Sequence, residues 1–177
     1  GDEIFLTKDG ETTTEWKAED QVVCGDAMPD CSGTFGINMD YRGIFLNMSF
    51  YYQFGGQTYN QTLVDRVENA DVGLNVDKRI YNAVWKKPGD RVDFSYNPYR
   101  LTKPSSRFVQ DLNELRLSSL NVGYDFRHCA FLKKSRLQQL KASFYMDDVF
   151  RASTVKTERG LTYPFARTFS FSLQATF

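Results

Sequence analysis

The sequence predicts an all-β chain: antiparallel, up-and-down strands of a transmembrane β-barrel, about five of them, with long loops that contain short helices. Three observations carry this. Five stretches alternate apolar and polar residues with a period of two, which lays one side-chain set on each face of a strand. The connections are sorted, short ones at one end and long ones at the other, as in outer-membrane barrels with short periplasmic turns and long extracellular loops. The chain has no long apolar run, which excludes a membrane helix of about 20 apolar residues. It does not exclude a spanning strand, whose apolar residues alternate with polar ones.

Residues 1–32 are mostly polar and read as an extracellular loop region, ahead of a barrel segment over 33–177. In the strand expected near 34–41, Phe35, Ile37, Met39 and Tyr41 alternate with Gly36, Asn38, Asp40 and Arg42. Arg42-Gly43 then makes a two-residue turn, with Gly supplying the positive φ such a hairpin needs. The second strand, near 44–54, presents Ile44, Leu46, Met48, Phe50, Tyr52 and Phe54 on one face.

The connection 55–113 is far longer than an ordinary hairpin loop of 2–5 residues. It is not featureless. Leu63, Val67 and Ala70 have helical spacing behind Tyr59, with Asn60 placed to cap the start. A second short helix is expected over Val76 to Trp85, before Pro88-Gly89, and Asp93 to Pro104 reads as extended loop.

The third strand, near 114–126, carries Leu115 and Leu117, then Leu120, Val122, Tyr124 and Phe126; the phase slips at Ser118-Ser119, which predicts a bulge. A modest turn over 127–138 follows, kept in water by Lys133, Lys134 and Arg136. The fourth strand, near 139–147, turns Leu140, Ala142, Phe144 and Met146 away from Lys141, Ser143, Tyr145 and Asp147. Residues 148–164 form a second long connection. The last strand, near 166–177, alternates Phe169, Phe171, Leu173, Ala175 and Phe177 with Ser170, Ser172, Gln174 and Thr176.

Composition narrows function by exclusion. The 177 residues allow one domain and little room for two. Lys and Arg total 22, as do Asp and Glu, so the basic excess of a nucleic-acid binder is missing. Three Cys and one His, with no CxxC, HExxH, GxSxG or P-loop, supply no catalytic or metal constellation; neither an enzyme nor a cofactor is expected. Cys24 and Cys31 flank a short loop and are either a disulfide or two free thiols, since the geometry cannot be read from sequence. His128-Cys129 are adjacent and rarely converge on one atom; Asp147-Asp148 point to opposite faces of a strand. Phe50, Tyr52 and Phe54 fall at a strand end, where an aromatic girdle is commoner than a sugar-stacking platform. Tyr59, Trp85, Tyr96 and Tyr99 lie in the long loop and are the better ligand or lid contacts. The chain opens at Gly1 with no charged n-region or apolar h-region, which reads as a mature product or an excised piece.

Several stretches, in order, resemble the C-terminal end of the SusC-like TonB-dependent outer-membrane transporters of Bacteroidetes. They are Tyr51-Tyr52-Gln53-Phe54-Gly55-Gly56 with Tyr59-Asn60, then Asn75-Val76-Asp77-Lys78-Arg79, and Trp85 through Pro88-Gly89-Asp90. Ser105 to Asp111, Leu115-Arg116-Leu117 with Val122-Gly123-Tyr124, and Tyr163-Pro164 with Arg167-Thr168-Phe169 complete the series. The chain departs from the family pattern at Asp147-Asp148-Val149-Phe150, in the last loop, and in the reduced loop Lys8-Asp9-Gly10-Glu11.

The resemblance implies import of oligosaccharides, or less often peptides, by a 22-stranded barrel with a plug, of which this chain supplies about five strands. Its implied partners are the rest of the barrel and plug, a SusD-like surface lipoprotein, TonB through a region absent here, and outer-membrane lipid. Phe169, Phe171, Leu173 and Phe177 look like the signal read by the barrel-assembly machinery. Five strands cannot close a barrel, so an isolated piece is expected to self-associate through its open edges. The rival reading is a soluble, secreted β-sheet glycan-binding module, which shares the alternation but buries its apolar face against a second sheet.

Overall fold

The computed structural model describes residues 3–71, 73–95, 101–130, 132, 137–156 and 166–177. Its elements, in order, are β1 (Phe5–Leu6), β2 (Thr12–Thr13), β3 (Cys31–Tyr41), β4 (Ile44–Tyr59), α1 (Gln61–Leu63), α2 (Ile80–Ala83), β5 (Val109–Asp125), β6 (Gln139–Ser153) and β7 (Phe169–Thr176). β1 and β2 pair with each other. β3 to β7 form one five-stranded sheet in strict sequence order, with β3 and β7 at its edges. The pairs β3–β4, β5–β6 and β6–β7 are antiparallel.

The turn at Arg42-Gly43 forms as expected. Both residues have positive φ, 51° and 90°, the mirror-image turn whose twist matches its flanking strands. Gly43 is required for a second reason: a Cβ there would stand 2.6 Å from the carbonyl oxygen of Asp125, whose own N–H donates to the Gly43 carbonyl at 2.7 Å. The register shift lies between Leu117 and Ser119, as the phase slip predicts. The extra residue sits on β6, where Asp148 and Val149 stand against Ser118; Asp148 takes up the distortion at φ 49°.

The strands run further into the connections than apolar alternation suggests. β4 continues to Tyr59, β5 begins at Val109 and β6 ends at Ser153. Ladder hydrogen bonds need only backbone, so polar residues extend a strand after its hydrophobic pattern has stopped. The long connection between β4 and β5 therefore shrinks to 60–108.

Two compact units, interleaved in sequence, replace the single domain expected from length. One comprises Pro29–Gly56, Leu112–Thr154 and Phe165–Phe177; it holds most of the large sheet. The other comprises Gly1–Met28, Gln57–Asp111 and Val155–Pro164. This second, loop-built unit has its own core of Leu63, Val64, Val67, Val84 and Phe108, with Ile80 and Phe94 packed on it. Asn60 caps α1 as expected: its side chain accepts from the Leu63 N–H at 3.3 Å. A wide π-helical turn, Val64–Glu68, continues α1. The helix expected over Val76 to Trp85 is cut to α2. Asp77 turns its carboxylate onto the Arg79 N–H at 2.8 Å, and Val84 leaves the helix to bridge Phe94.

Candidate functional site

The large sheet has chemically opposite faces. Register sets Phe35 against Phe50, Ile37 against Met48 and Met39 against Leu46. Further along, Val122 meets Phe144 and Phe144 meets Phe171. Their rings form a ladder: Phe35 stacks on Phe50 at 4.8 Å, and Tyr52 lies 5.9 Å from Phe54. This face is open. Phe35 is 45% exposed, Met39 58%, Phe171 73% and Leu173 63%, and no second sheet covers it among the described residues. A contiguous apolar surface of this kind marks a face made for another apolar phase or partner. Among the described residues no helix is long and apolar enough to cross a membrane, which says nothing of a β-barrel.

The opposite face is polar. Asn38 pairs with Asn47, Ser143 with Ser172 and Lys141 with Gln174. Phe45 is the exception, and its ring fills the space over Gly123, where a Cβ would meet it at 2.3 Å. Toward the Tyr59 end of β4, Tyr51 donates its hydroxyl to Gln53 at 2.7 Å and carries the Arg116 guanidinium over its ring at 5.2 Å. Arg116 stands directly opposite Arg151 across the β5–β6 ladder. The Glu114 carboxylate is committed to Arg151 Nη2 at 2.6 Å. The apolar–polar alternation read from the sequence did not single out this arginine pair. Its signal was present in Glu114, Arg116 and the long reach of β6 past Asp147.

In the loop-built unit, Tyr59 sits edge-on to Phe108 at 5.7 Å. It helps line a cavity of about 590 Å³ together with Glu3, Phe5, Trp16, Lys17 and Arg107. Trp16 is fixed there by its indole N–H, which donates to the Pro104 carbonyl at 3.0 Å. Arg107 Nη2 reaches both Glu3 and Glu68, and its guanidinium stacks over Phe108 at 4.7 Å. Burial pushes the Glu68 carboxyl up to about 7; the nearby Glu3 adds to that, and Arg107 opposes it. Glu68, which nothing in the local sequence singles out, is 2% exposed.

Trp85 is half-buried, holds its backbone to Phe94 at 2.8 Å and does not line this cavity. Tyr96 and Tyr99 lie outside the described residues, as do Lys133, Lys134 and Arg136. Cys24 and Cys31 are free thiols, so the candidate disulfide is not formed; the Cys24 thiol donates to the Val22 carbonyl at 3.2 Å. Cys129 meets the Tyr124 hydroxyl at 3.8 Å rather than a catalytic partner. Asp147 accepts from Tyr145 at 2.7 Å. Among the described residues no group of three or more His, Cys, Asp or Glu is placed to hold a metal. Phe169, Phe171, Leu173 and Phe177 are all exposed along one side of β7 and just beyond it.

No family model matches the chain. A curated relative does: TonB-dependent receptor P3 of Formosa agariphila is 27% identical over 198 aligned positions, covering 100% of this chain and 19% of the relative. Solved structures share its fold. The RagAB peptide importer in its open-open state superimposes with a TM-score of 0.70 at 17% identity, over 98% of this chain and 20% of that one. A second structure of the RagAB peptide transporter gives 0.69 at 19% identity, over 97% and 20%. The chain has the fold of a barrel segment of these transporters. The five-stranded sheet thus matches one portion of much longer chains, and this chain spans about a fifth of the length of the relatives it matches. The resemblance read from Tyr51 to Phe169 is borne out along the whole sequence, and the fold class with it.

Proposed function

We propose that this chain is the C-terminal part of an outer-membrane barrel that imports oligosaccharides or other nutrients, including peptides, in a TonB-dependent manner. One observation supports this most directly: the same sheet is openly apolar on one face and polar on the other, the pattern a barrel wall needs between lipid and lumen. Asn38, Asp40, Asn47, Ser49, Ser143, Ser170, Ser172 and Gln174 then face the lumen. Lipid meets Phe35, Ile37, Met39, Phe171 and Leu173. Residues 60–108 form an extracellular loop that a SusD-like lipoprotein rests on. TonB acts through a part of the protein outside this chain, and the barrel-assembly machinery reads β7 with Phe177.

Neighbouring residues of β7 test this, because they face opposite phases. In the whole receptor, Phe171→Asp lowers recovery in the outer-membrane fraction several-fold, Ser172→Asp is tolerated, and Phe177→Ala slows assembly. Equal tolerance at 171 and 172, or a wild-type receptor recovered in the soluble fraction, overturns the proposal in favour of a soluble glycan-binding module.

A further inference from the structure

Arg116 stands out on the polar face of the sheet. It has three unusual properties together. First, its charge is uncompensated: the Glu114 carboxylate two residues away goes to Arg151 instead, and Arg116 has no ion pair among the described residues. Second, it stands directly opposite Arg151 across the ladder, a like-charge placement that destabilises a sheet. Third, its Nε is buried with no hydrogen-bond acceptor among the described residues, a costly state for a guanidinium N–H.

The geometry also shows what the group is prepared for. Stacking on Tyr51 at 5.2 Å uses the face of the guanidinium. Its in-plane N–H donors remain unspent, held in a fixed fork that matches a planar carboxylate. The ring orients the fork and limits the rotamer freedom that binding would otherwise remove. The charge available is single, since Arg151 is neutralised by Glu114. A monoanion fits that balance, and a dianion such as phosphate does not.

We propose that Arg116, seated on Tyr51, is an anion site on the polar face of the sheet and takes a carboxylate of the solute being moved. This rests on the transport reading and adds to it a substrate class: solutes carrying a carboxylate, such as a uronic acid unit or a peptide C-terminus. A carboxylate reaching Arg116 has two possible sources, the solute or an acidic side chain elsewhere in the receptor, and the experiment separates them.

The whole receptor, purified in detergent, is treated with phenylglyoxal, and the adduct at Arg116 is quantified by peptide mass spectrometry. The probes are acetate and its neutral counterpart acetamide, at constant ionic strength set with potassium chloride. The expected result is ready labelling without acetate, a several-fold slower rate with acetate, and no change with acetamide. Tyr51→Leu keeps the labelling and loses most of the acetate protection, while Tyr51→Phe retains it. Labelling that fails without acetate means the receptor's own carboxylate occupies the site and overturns the proposal. Labelling that acetate and acetamide affect alike also overturns it. The transport reading fails by a different sign, namely a wild-type receptor found in the soluble fraction.

Discussion

Arg107 Nη2 donates to Glu68 Oε1 at 2.8 Å, and the same nitrogen reaches Glu3 at 2.9 Å. One guanidinium therefore serves two carboxyls, one of them almost fully buried, and Thr102 adds a hydroxyl to Glu68 at 3.1 Å. The arrangement ties the N-terminal segment to the core of the loop-built unit. Its proton count sets a pH dependence.

Folded Glu68 keeps its proton up to about 7, against an ordinary value of 4.5. Between those values the folded state binds more protons than the unfolded chain, so stability falls as pH rises. The contribution is fully present below about 4.5 and is lost as pH passes 7. Amide exchange over residues 61–68, corrected for intrinsic rates, should show protection declining from acid to neutral pH. Glu68→Gln should flatten that decline, and an unchanged slope in the variant would assign it elsewhere.

Gly43→Val should be severe. It forces a β-branched residue to φ 90° and drives a Cβ onto the Asp125 carbonyl. Strain of this kind costs about 1–3 kcal/mol before the clash is counted. Thermal unfolding of the detergent-solubilised protein reads the loss, and Arg42→Asn is the control, because Asn tolerates the left-handed region.

Asn60→Ala removes the α1 cap and the bond from the Asn60 amide to Gln110 Oε1 at 2.8 Å. A lost cap costs about 1 kcal/mol, and the unpaired Gln110 adds to it. Asn60→Ser should recover part of this, since its hydroxyl keeps an acceptor for the Leu63 N–H without burying a charge. Exchange at the Leu63 amide ranks the three proteins.

Phe108 is fully buried between Tyr59 and Phe94. Phe108→Ala should cost roughly 3–5 kcal/mol, and Phe108→Leu much less because most of the volume stays. The cavity made by the Ala variant should also free the Tyr59 ring, which a change in tyrosine fluorescence or exchange at residue 59 would register.

What was legible from sequence was what period two encodes. The faces of β3, β4 and β7, the Arg42-Gly43 turn and the slip near Ser118 all follow from local pattern and turn chemistry. Strand ends were not legible, because backbone pairing continues through Gln57, Asp111 and Arg151 without any apolar alternation. The loop-built unit was read only in part. Asn60 and the apolar spacing of Leu63 and Val67 gave away α1. Nothing local marks Glu68 as buried, since its burial comes from Arg107 and Thr102, more than thirty positions on. The same applies to Arg116, whose isolation depends on Glu114 choosing a partner on another strand.

The sheet's neighbours in space are separated by very different lengths of chain. β3 and β4 are joined by two residues and can pair within microseconds as an isolated hairpin. β4 and β5 must wait for 60–108 to fold back, and every doubling of a loop adds about 0.6 kcal/mol to the entropy of closing it. The bonds from the Asn60 N–H to the Phe108 carbonyl at 2.8 Å and from Gln57 to Asp111 at 2.9 Å lie at the neck of that loop. They act as a clasp: once the loop's own core has formed around Phe108, the second strand pair starts from a short, already closed end. The order of events in assembling this sheet is then set by a loop, and a lesion outside the strands, at Asn60 or Phe108 where the loop leaves β4 and enters β5, will surface as a delay in strand pairing.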